Sequence, residues 1–480
     1  MAPAGGSAAA PTTGERQRIV WWAHVARGSA AIVVLFARFM YEFREQKTLV
    51  KTFTFTSPIP LAELPTTFAY SIYVWPRDHI DVDPGTAAVG MFFMLSGFVI
   101  PFALERRTMG AFGIRRILRV YPTLWVATGL SLLVIWITTR GRTFPIDRAQ
   151  IITSGTLVAQ YSGKNWIDPS YWTIPIEELF YLTAALLAAT RLLRRPAVLV
   201  GTAGLVCAGS LALGRVLPTP GEVPDVWFWT RFYLGRNLGF MVFIYAGVAL
   251  HMLYRGFWSR RTFVIVTGCI IVISAIALHH GPFQPPFLPD DQGTTYFNSF
   301  LVGFVVFMIF YWIGNRIPRT APLQILGDMS YPVYLTVTVI GWTILAWLTS
   351  SFGYYFALPV AAAGVLGIAY LLHRLVEKPT YALAQKITAQ SRFRSDRSWS
   401  DEPKARRRRR AHRGRPGYVP ELDPDRAPEG LPDPASAMLG LEPPAADGNG
   451  RTPVGDNGDA GAARPPSAGS IEPSPPTRSD

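Results

Sequence analysis

Long apolar runs decide what this chain can fold into. About ten of them are long enough, or nearly so, to cross a bilayer: residues 19–40, 85–104, 122–138, 171–190, 197–213, 232–253, 263–278, 296–314, 331–347 and 353–372. A barrel strand would alternate apolar and polar residues, whereas M-F-F-M-L-S-G-F-V-I-P-F-A-L is apolar throughout. Only 16% of the residues are charged, against about 25% in soluble domains. With a mean hydropathy of +0.21, this excludes an ordinary cytosolic enzyme and a wholly disordered chain. The expected fold is an all-α polytopic membrane protein with about ten transmembrane helices.

Charge sets the expected orientation. Arg106, Arg107, Arg115, Arg116 and Arg119 follow the second run, and Arg191, Arg194 and Arg195 the fourth. Arg255, Arg260 and Arg261 follow the sixth, Arg316 and Arg319 the eighth, and Arg374 and Lys378 close the tenth. The loop at 279–295 has no Lys or Arg. Basic loops stay on the cytoplasmic side, so alternate loops and both termini are expected there. The formal charge of +14 is spread between apolar runs and one cluster near the C-terminus, so no nucleic-acid face is expected. Cys207 and Cys269 sit inside apolar runs and give neither a disulfide framework nor metal-ligand spacing.

Three parts follow. Residues 1–18 are small and polar and read as a disordered cytoplasmic N-terminus. Residues 19–380 form the membrane domain. Residues 391–480 read as a disordered cytoplasmic tail, basic over 392–415 and then Pro-, Gly- and Ala-rich. The five consecutive arginines from Arg406 to Arg410 suit anionic lipid headgroups or a protein partner. The excess of Arg over Lys, with abundant Ala, Gly and Pro, suggests a bacterial gene of high GC content.

Ionisable residues at membrane depth are the first functional candidates, because charge in hydrocarbon needs a polar cavity or a partner. Arg27 lies one turn after His24, and Arg38 lies eleven residues further on nearly the same face. Glu177 and Glu178 interrupt the fourth run just below Tyr171 and Trp172. Arg231, Arg236 and Asn237 open the sixth run and Asp328 the ninth. Snorkelling to the interface accounts for Arg38, Arg231 and Arg236. Arg27 and Glu177 lie deeper, where a structural Arg–Glu pair would satisfy both.

The segment A-V-G-M-F-F-M-L-S-G-F-V-I at 88–100 resembles the FF-x-L-S-G-F segment of the acyltransferase 3 family of bacterial integral membrane acyltransferases. The neighbouring motifs agree in order. Arg27-Gly28 with its apolar continuation resembles the family's first helix, and F-G-I-R-R-I-L-R-V-Y-P at 112–122 its arginine-rich segment. Y-W-T-I-P-I-E-E-L-F-Y-L at 171–182, L-G-D-M-S-Y-P-V-Y-L at 326–335 and L-V-E-K-P at 375–379 resemble later landmarks. Together they span residues 27–379.

The resemblance implies transfer of an acyl group, commonly acetyl, from a cytoplasmic acetyl-CoA or other acyl-CoA donor to a hydroxyl. The acceptor would be an extracytoplasmic, lipid-linked or polymeric saccharide or a glycolipid. The donor is a substrate; no bound cofactor or metal is implied. Such chemistry needs a base and fixed positive charge. Arg115, Arg116 and Arg119 are then the donor-binding candidates, and Glu177, Arg27 and His24 the catalytic ones. Tyr171, Trp172 and His79 are the acceptor-side candidates. Ser96 reads as a small residue for close helix packing.

Two positions depart from the pattern. The family's first helix carries a histidine eleven residues after the arginine, where this chain has Arg38, which cannot accept a proton. A later histidine of the family falls on Val337. One reading is an O-acyltransferase with a relocated base, drawn from His24, His79, Glu177 or Glu178. The other is a catalytically degenerate membrane protein of the same scaffold, acting as a lipid or acyl translocator or as a scaffold.

Overall fold

The computed structural model describes residues 13–388 except 58, 61–63, 106–107, 141–143, 216–225 and 284–291, and the side chains of 13–20 and 315 lie outside the description. The tail at 391–480, its basic part at 392–415 and the first twelve residues therefore lie outside the described residues.

In chain order the helices begin with α1 (Thr13–Phe36), a π-turn at Ala37–Glu42, α2 (Phe43–Glu45), α3 (Lys47–Thr54), α4 (Phe68–Ile80) and α5 (Pro84–Glu105). Next come α6 (Met109–Thr138), α7 (Arg148–Gly155), α8 (Ile174–Ala189), α9 (Pro196–Arg215), α10 (Val226–Tyr254) and α11 (Arg260–His280). The last group is α12 (Gly293–Ile313), α13 (Ala321–Asp328), α14 (Ser330–Thr336), α15 (Val339–Phe352), α16 (Tyr354–Leu372) and α17 (Lys378–Thr388). Among the described residues nine helices are long and apolar enough to span a membrane, or ten if α14 and α15 form one broken span. The chain is an all-α polytopic membrane protein. Leu182, Leu205, Val264 and Trp312 turn outward from the bundle, as lipid-facing side chains should.

The centre of the bundle is α5, buried along most of its length against α1, α8, α10 and α12. Glycines permit this closeness. A Cβ at Gly97 would lie 2.1 Å from the Ile244 carbonyl oxygen, and one at Gly247 would lie 2.2 Å from that of Met94. The backbones of α5 and α10 thus meet where no side chain intervenes. Gly303 of α12 approaches the Ala87 carbonyl in the same way, 2.3 Å from where its Cβ would stand.

Two expected helices differ in extent. The run expected from 122 is the second part of α6, which begins at Met109 behind an N-cap in which Thr108 accepts the Ala111 N–H. Pro122 lies inside the helix, and just before it the Tyr331 hydroxyl donates to the Val120 carbonyl at 3.1 Å, tying α6 to α14. The arginine segment is therefore helical, and its register decides where each arginine points.

The ninth expected helix bends by 60° between α14 and α15. The break exposes the Val339 N–H, which donates to Asp168 Oδ2 at 3.0 Å. Asp168 Oδ1 accepts the Ser170 N–H at 2.8 Å, and the Ser170 and Thr338 hydroxyls bond to each other. Burial pushes the Asp168 carboxyl upward and these N–H donors offset part of the shift. Two more donors support the π-turn after α1: Trp342 Nε1 donates to the Arg38 carbonyl at 2.9 Å, and the Tyr354 hydroxyl to that of Phe39 at 3.1 Å. Irregular backbone at membrane depth persists where its polar groups are paired in this way.

Candidate active site

A cavity of about 110 Å³ opens between α1, α5, α6, α8 and α14. Its wall on α5 includes Phe92, Ser96 and Val99, which helical spacing places on one face. Arg27 enters from α1, Arg116 and Arg119 from α6, Glu177 and Tyr181 from α8, and Ser330, Tyr331 and Tyr334 from α14.

Glu177 is the carboxylate of this cavity, and it is held on both sides. Its Oε1 accepts the Ser96 hydroxyl at 2.9 Å, and its Oε2 accepts the Tyr181 hydroxyl at 2.5 Å, one helical turn along α8. The Arg116 guanidinium lies over the rings of Tyr181 and Phe112, 5.1 and 5.4 Å from their centroids. Among the described residues, none of Arg27, Arg116 and Arg119 forms an ion pair with a carboxylate. Three guanidiniums thus face one carboxylate that two hydroxyls already occupy. Buried positive charge without a paired anion is expensive, and its forked donors match phosphate or carboxylate oxygens. The arrangement fits an anionic ligand.

The structure sorts the other sequence candidates by position. Arg115 turns toward α17, where its Nε donates to Thr388 Oγ1 at 2.6 Å, and it does not line the cavity. His24 is buried against α13, with Nε2 at 2.9 Å from the Gln324 carbonyl and 3.4 Å from Asp328 Oδ1. It too is absent from the cavity wall. The Arg27–Glu177 ion pair allowed by the sequence does not form. Tyr171 is fully buried and accepts the Thr128 hydroxyl at 3.2 Å. Trp172 packs on Phe240 at 5.1 Å between centroids, with the Arg236 guanidinium 5.5 Å from its own ring. His79 is exposed at the end of α4 and stacks on Trp75 at 5.0 Å. Glu178 accepts the Tyr121 hydroxyl at 2.8 Å.

Arg38 is paired with Glu42 inside the π-turn rather than extended to the interface, and its side chain is 13% exposed. Val337 is fully buried at the break between α14 and α15. Sequence reasoning missed Tyr181, Tyr331 and Tyr334 as cavity residues. The spacing of Tyr181 from Glu177, one turn along a helix, was the available signal for the first. Tyr331 and Tyr334 carry none, because only the break before α15 sets the direction of α14.

The fold and this cavity define a membrane-embedded protein with a cationic, carboxylate-bearing chamber enclosed by its helices. The acyltransferase 3 family model, described as an acyltransferase domain, matches residues 20–374. The chain belongs to that family, and its coarse assignment is a multi-pass membrane acyltransferase. No curated protein and no solved structure matches it.

Proposed function

We propose that the protein is an O-acyltransferase of a bacterial plasma membrane. It moves an acyl group, acetyl being the first to test, from a cytoplasmic CoA-type donor to a hydroxyl of an extracytoplasmic glycan or glycolipid. The observation that carries this reading is the cavity, in which Arg27, Arg116 and Arg119 pair with no carboxylate among the described residues while Glu177 is fixed by Ser96 and Tyr181. Arg116 and Arg119 would hold the anionic part of the donor. Arg27 would face the oxyanion that develops on the acyl carbonyl, and Glu177 would take the proton. Trp172, half-buried between Phe240 and Arg236, remains an acceptor-side candidate. The basic tail at 392–415 would rest on anionic lipid or a protein partner.

One observation favours a second reading, a degenerate member acting as an acyl or lipid translocator or a scaffold. Arg38 stands where the resemblance expects a basic histidine, and it is tied to Glu42. The test is mass spectrometry of envelope glycolipids and polysaccharides from parent, deletion and complemented strains. An acyl-bearing species that disappears on deletion and returns with the native gene, but not with Glu177→Gln or Arg116→Ala at equal abundance, supports the enzyme. Identical acyl profiles in all strains, with the protein present, support the second reading.

A further inference from the structure

The pair Ser96-Gly97 divides its duties in a way the sequence conceals. Gly97 makes the close contact with α10, where a Cβ would meet the Ile244 carbonyl oxygen at 2.1 Å. Ser96 points to the other side, into the cavity. A serine inside a helix usually returns its hydroxyl to the carbonyl one turn back. Here the hydroxyl donates to Glu177 Oε1 at 2.9 Å. The second oxygen of Glu177 is fixed by Tyr181, so the carboxylate cannot swing away from Ser96 without losing that bond. A hydroxyl aimed at a carboxylate, in a cavity that Arg27, Arg116 and Arg119 also line, has the parts of an activated nucleophile.

We infer that Ser96 carries the acyl group as a covalent ester between donor and acceptor, with Glu177 as its base. The inference rests on the acyltransferase reading above. In the first half, the Ser96 Oγ–H proton passes to Glu177 Oε1 as Oγ attacks the thioester carbonyl. The C–S bond breaks, and the leaving thiolate takes the proton from Glu177. In the second half, the acceptor hydroxyl gives its proton to Glu177 and attacks the ester carbonyl. The bond to Ser96 Oγ breaks, and Glu177 returns the proton to Oγ. Each half restores the carboxylate. The cavity arginines stabilise the carbonyl oxygen as it becomes negative. Tyr181 acts as a positioning residue.

The physical advantage is passage through the membrane. A polyanionic donor is costly to move through hydrocarbon, whereas an acyl ester on Ser96 is small and neutral. Splitting the transfer lets the donor leave on its own side before the acceptor reacts.

The test incubates the full-length protein in lipid nanodiscs with isotopically labelled acetyl-CoA and maps label by peptide mass spectrometry. Ser96→Ala, Ser96→Cys and Glu177→Gln are run in parallel, and each gene is also returned to the deletion strain. The expected result is label on the peptide containing Ser96, lost in Ser96→Ala and slowed at least about 100-fold in Glu177→Gln. In Ser96→Cys the label becomes labile to hydroxylamine at neutral pH, as a thioester is and a serine ester is not, which a purely structural serine would not produce. Restoration of the acyl-bearing envelope species by Ser96→Ala at native abundance overturns the covalent step while leaving the acyltransferase reading intact. Label on another residue overturns it equally. If the native gene itself restores no acyl species, the acyltransferase reading fails, and the inference with it.

Discussion

Arg27 and Arg38 lie on the same apolar stretch, yet the fold treats them in opposite ways. Arg27 lines a cavity and, among the described residues, has no carboxylate within ion-pairing distance. Arg38 sits in the π-turn that follows α1, bonded to Glu42 four residues on. Eleven residues of regular helix would have kept the two nearly in line. Arg38 instead pairs with Glu42 four residues on, a spacing that brings two side chains together on one helix face. Burial alone therefore does not mark a functional charge: Arg38 has a carboxylate bonded to it on its own segment, whereas Glu177 and Glu377 act on Arg27 only at longer range.

The largest expected effect is on transfer. Glu177→Gln should lower acyl product by about 100-fold or more at unchanged abundance, measured on the envelope species of the complemented deletion strain. Arg27→Gln should do the same, whereas a charge serving only as packing would leave the product unchanged.

Stability should respond in the reverse order. Arg38→Gln leaves Glu42 without its cation and should cost about 3 kcal/mol in detergent unfolding. Arg27→Gln removes an unpaired charge and should leave stability unchanged or raised. Arg38→Gln with Glu42→Gln should recover much of the loss; if the double variant is no better than the single, the pair is not what holds the π-turn.

A smaller loss is expected at the neighbouring joint. Asp168→Ala removes the acceptor for the Val339 and Ser170 N–H groups and should cost about 1–2 kcal/mol. Asp168→Asn retains an acceptor and should cost less. Equal losses would show that charge, rather than hydrogen bonding, supports the break before α15.

The remaining effect concerns pH. Asp328, in the short helix before the broken span, has its carboxyl pushed up by burial from 3.8 to about 8. Lys378 and Arg27 pull it down, Glu377 raises it, and His24 Nε2 lies 3.4 Å away. The folded state holds this proton more tightly than the unfolded state. Its stability contribution should therefore fall as pH rises from about 4 and level off above about 8. Asp328→Asn should flatten that slope in thermal unfolding across the same window, and an unchanged slope would assign it to another group.

Hydropathy located the spans because spanning helices need continuous apolar length, which is a local property. It placed the broken span as one helix, since nothing in V-Y-L-T-V-T-V announces a bend. That bend depends on Asp168, far away in sequence. The cavity was half legible. Arg27, Glu177, Arg116 and Arg119 stood out as charge in apolar surroundings, and all four line it. Arg115 differs from Arg116 only by the rotation of one residue along a helix, so the register of α6 was needed to separate them. The role of Ser96 was hidden for a similar reason. Small residues beside glycine serve close packing by default, and only the structure shows Gly97 against α10 while the Ser96 hydroxyl, about 100° round the helix, reaches Glu177.

The most direct measurement is binding of acetyl-CoA to the full-length protein in nanodiscs, comparing the native chain with Arg116→Ala and with the paired double variant Arg38→Gln/Glu42→Gln. Saturable binding by the native protein is expected, weakened about tenfold or more by Arg116→Ala and little changed by the double variant. Equal binding by the native protein and Arg116→Ala, or no binding by the native protein, would contradict the claim that the unpaired arginines of the cavity receive the donor.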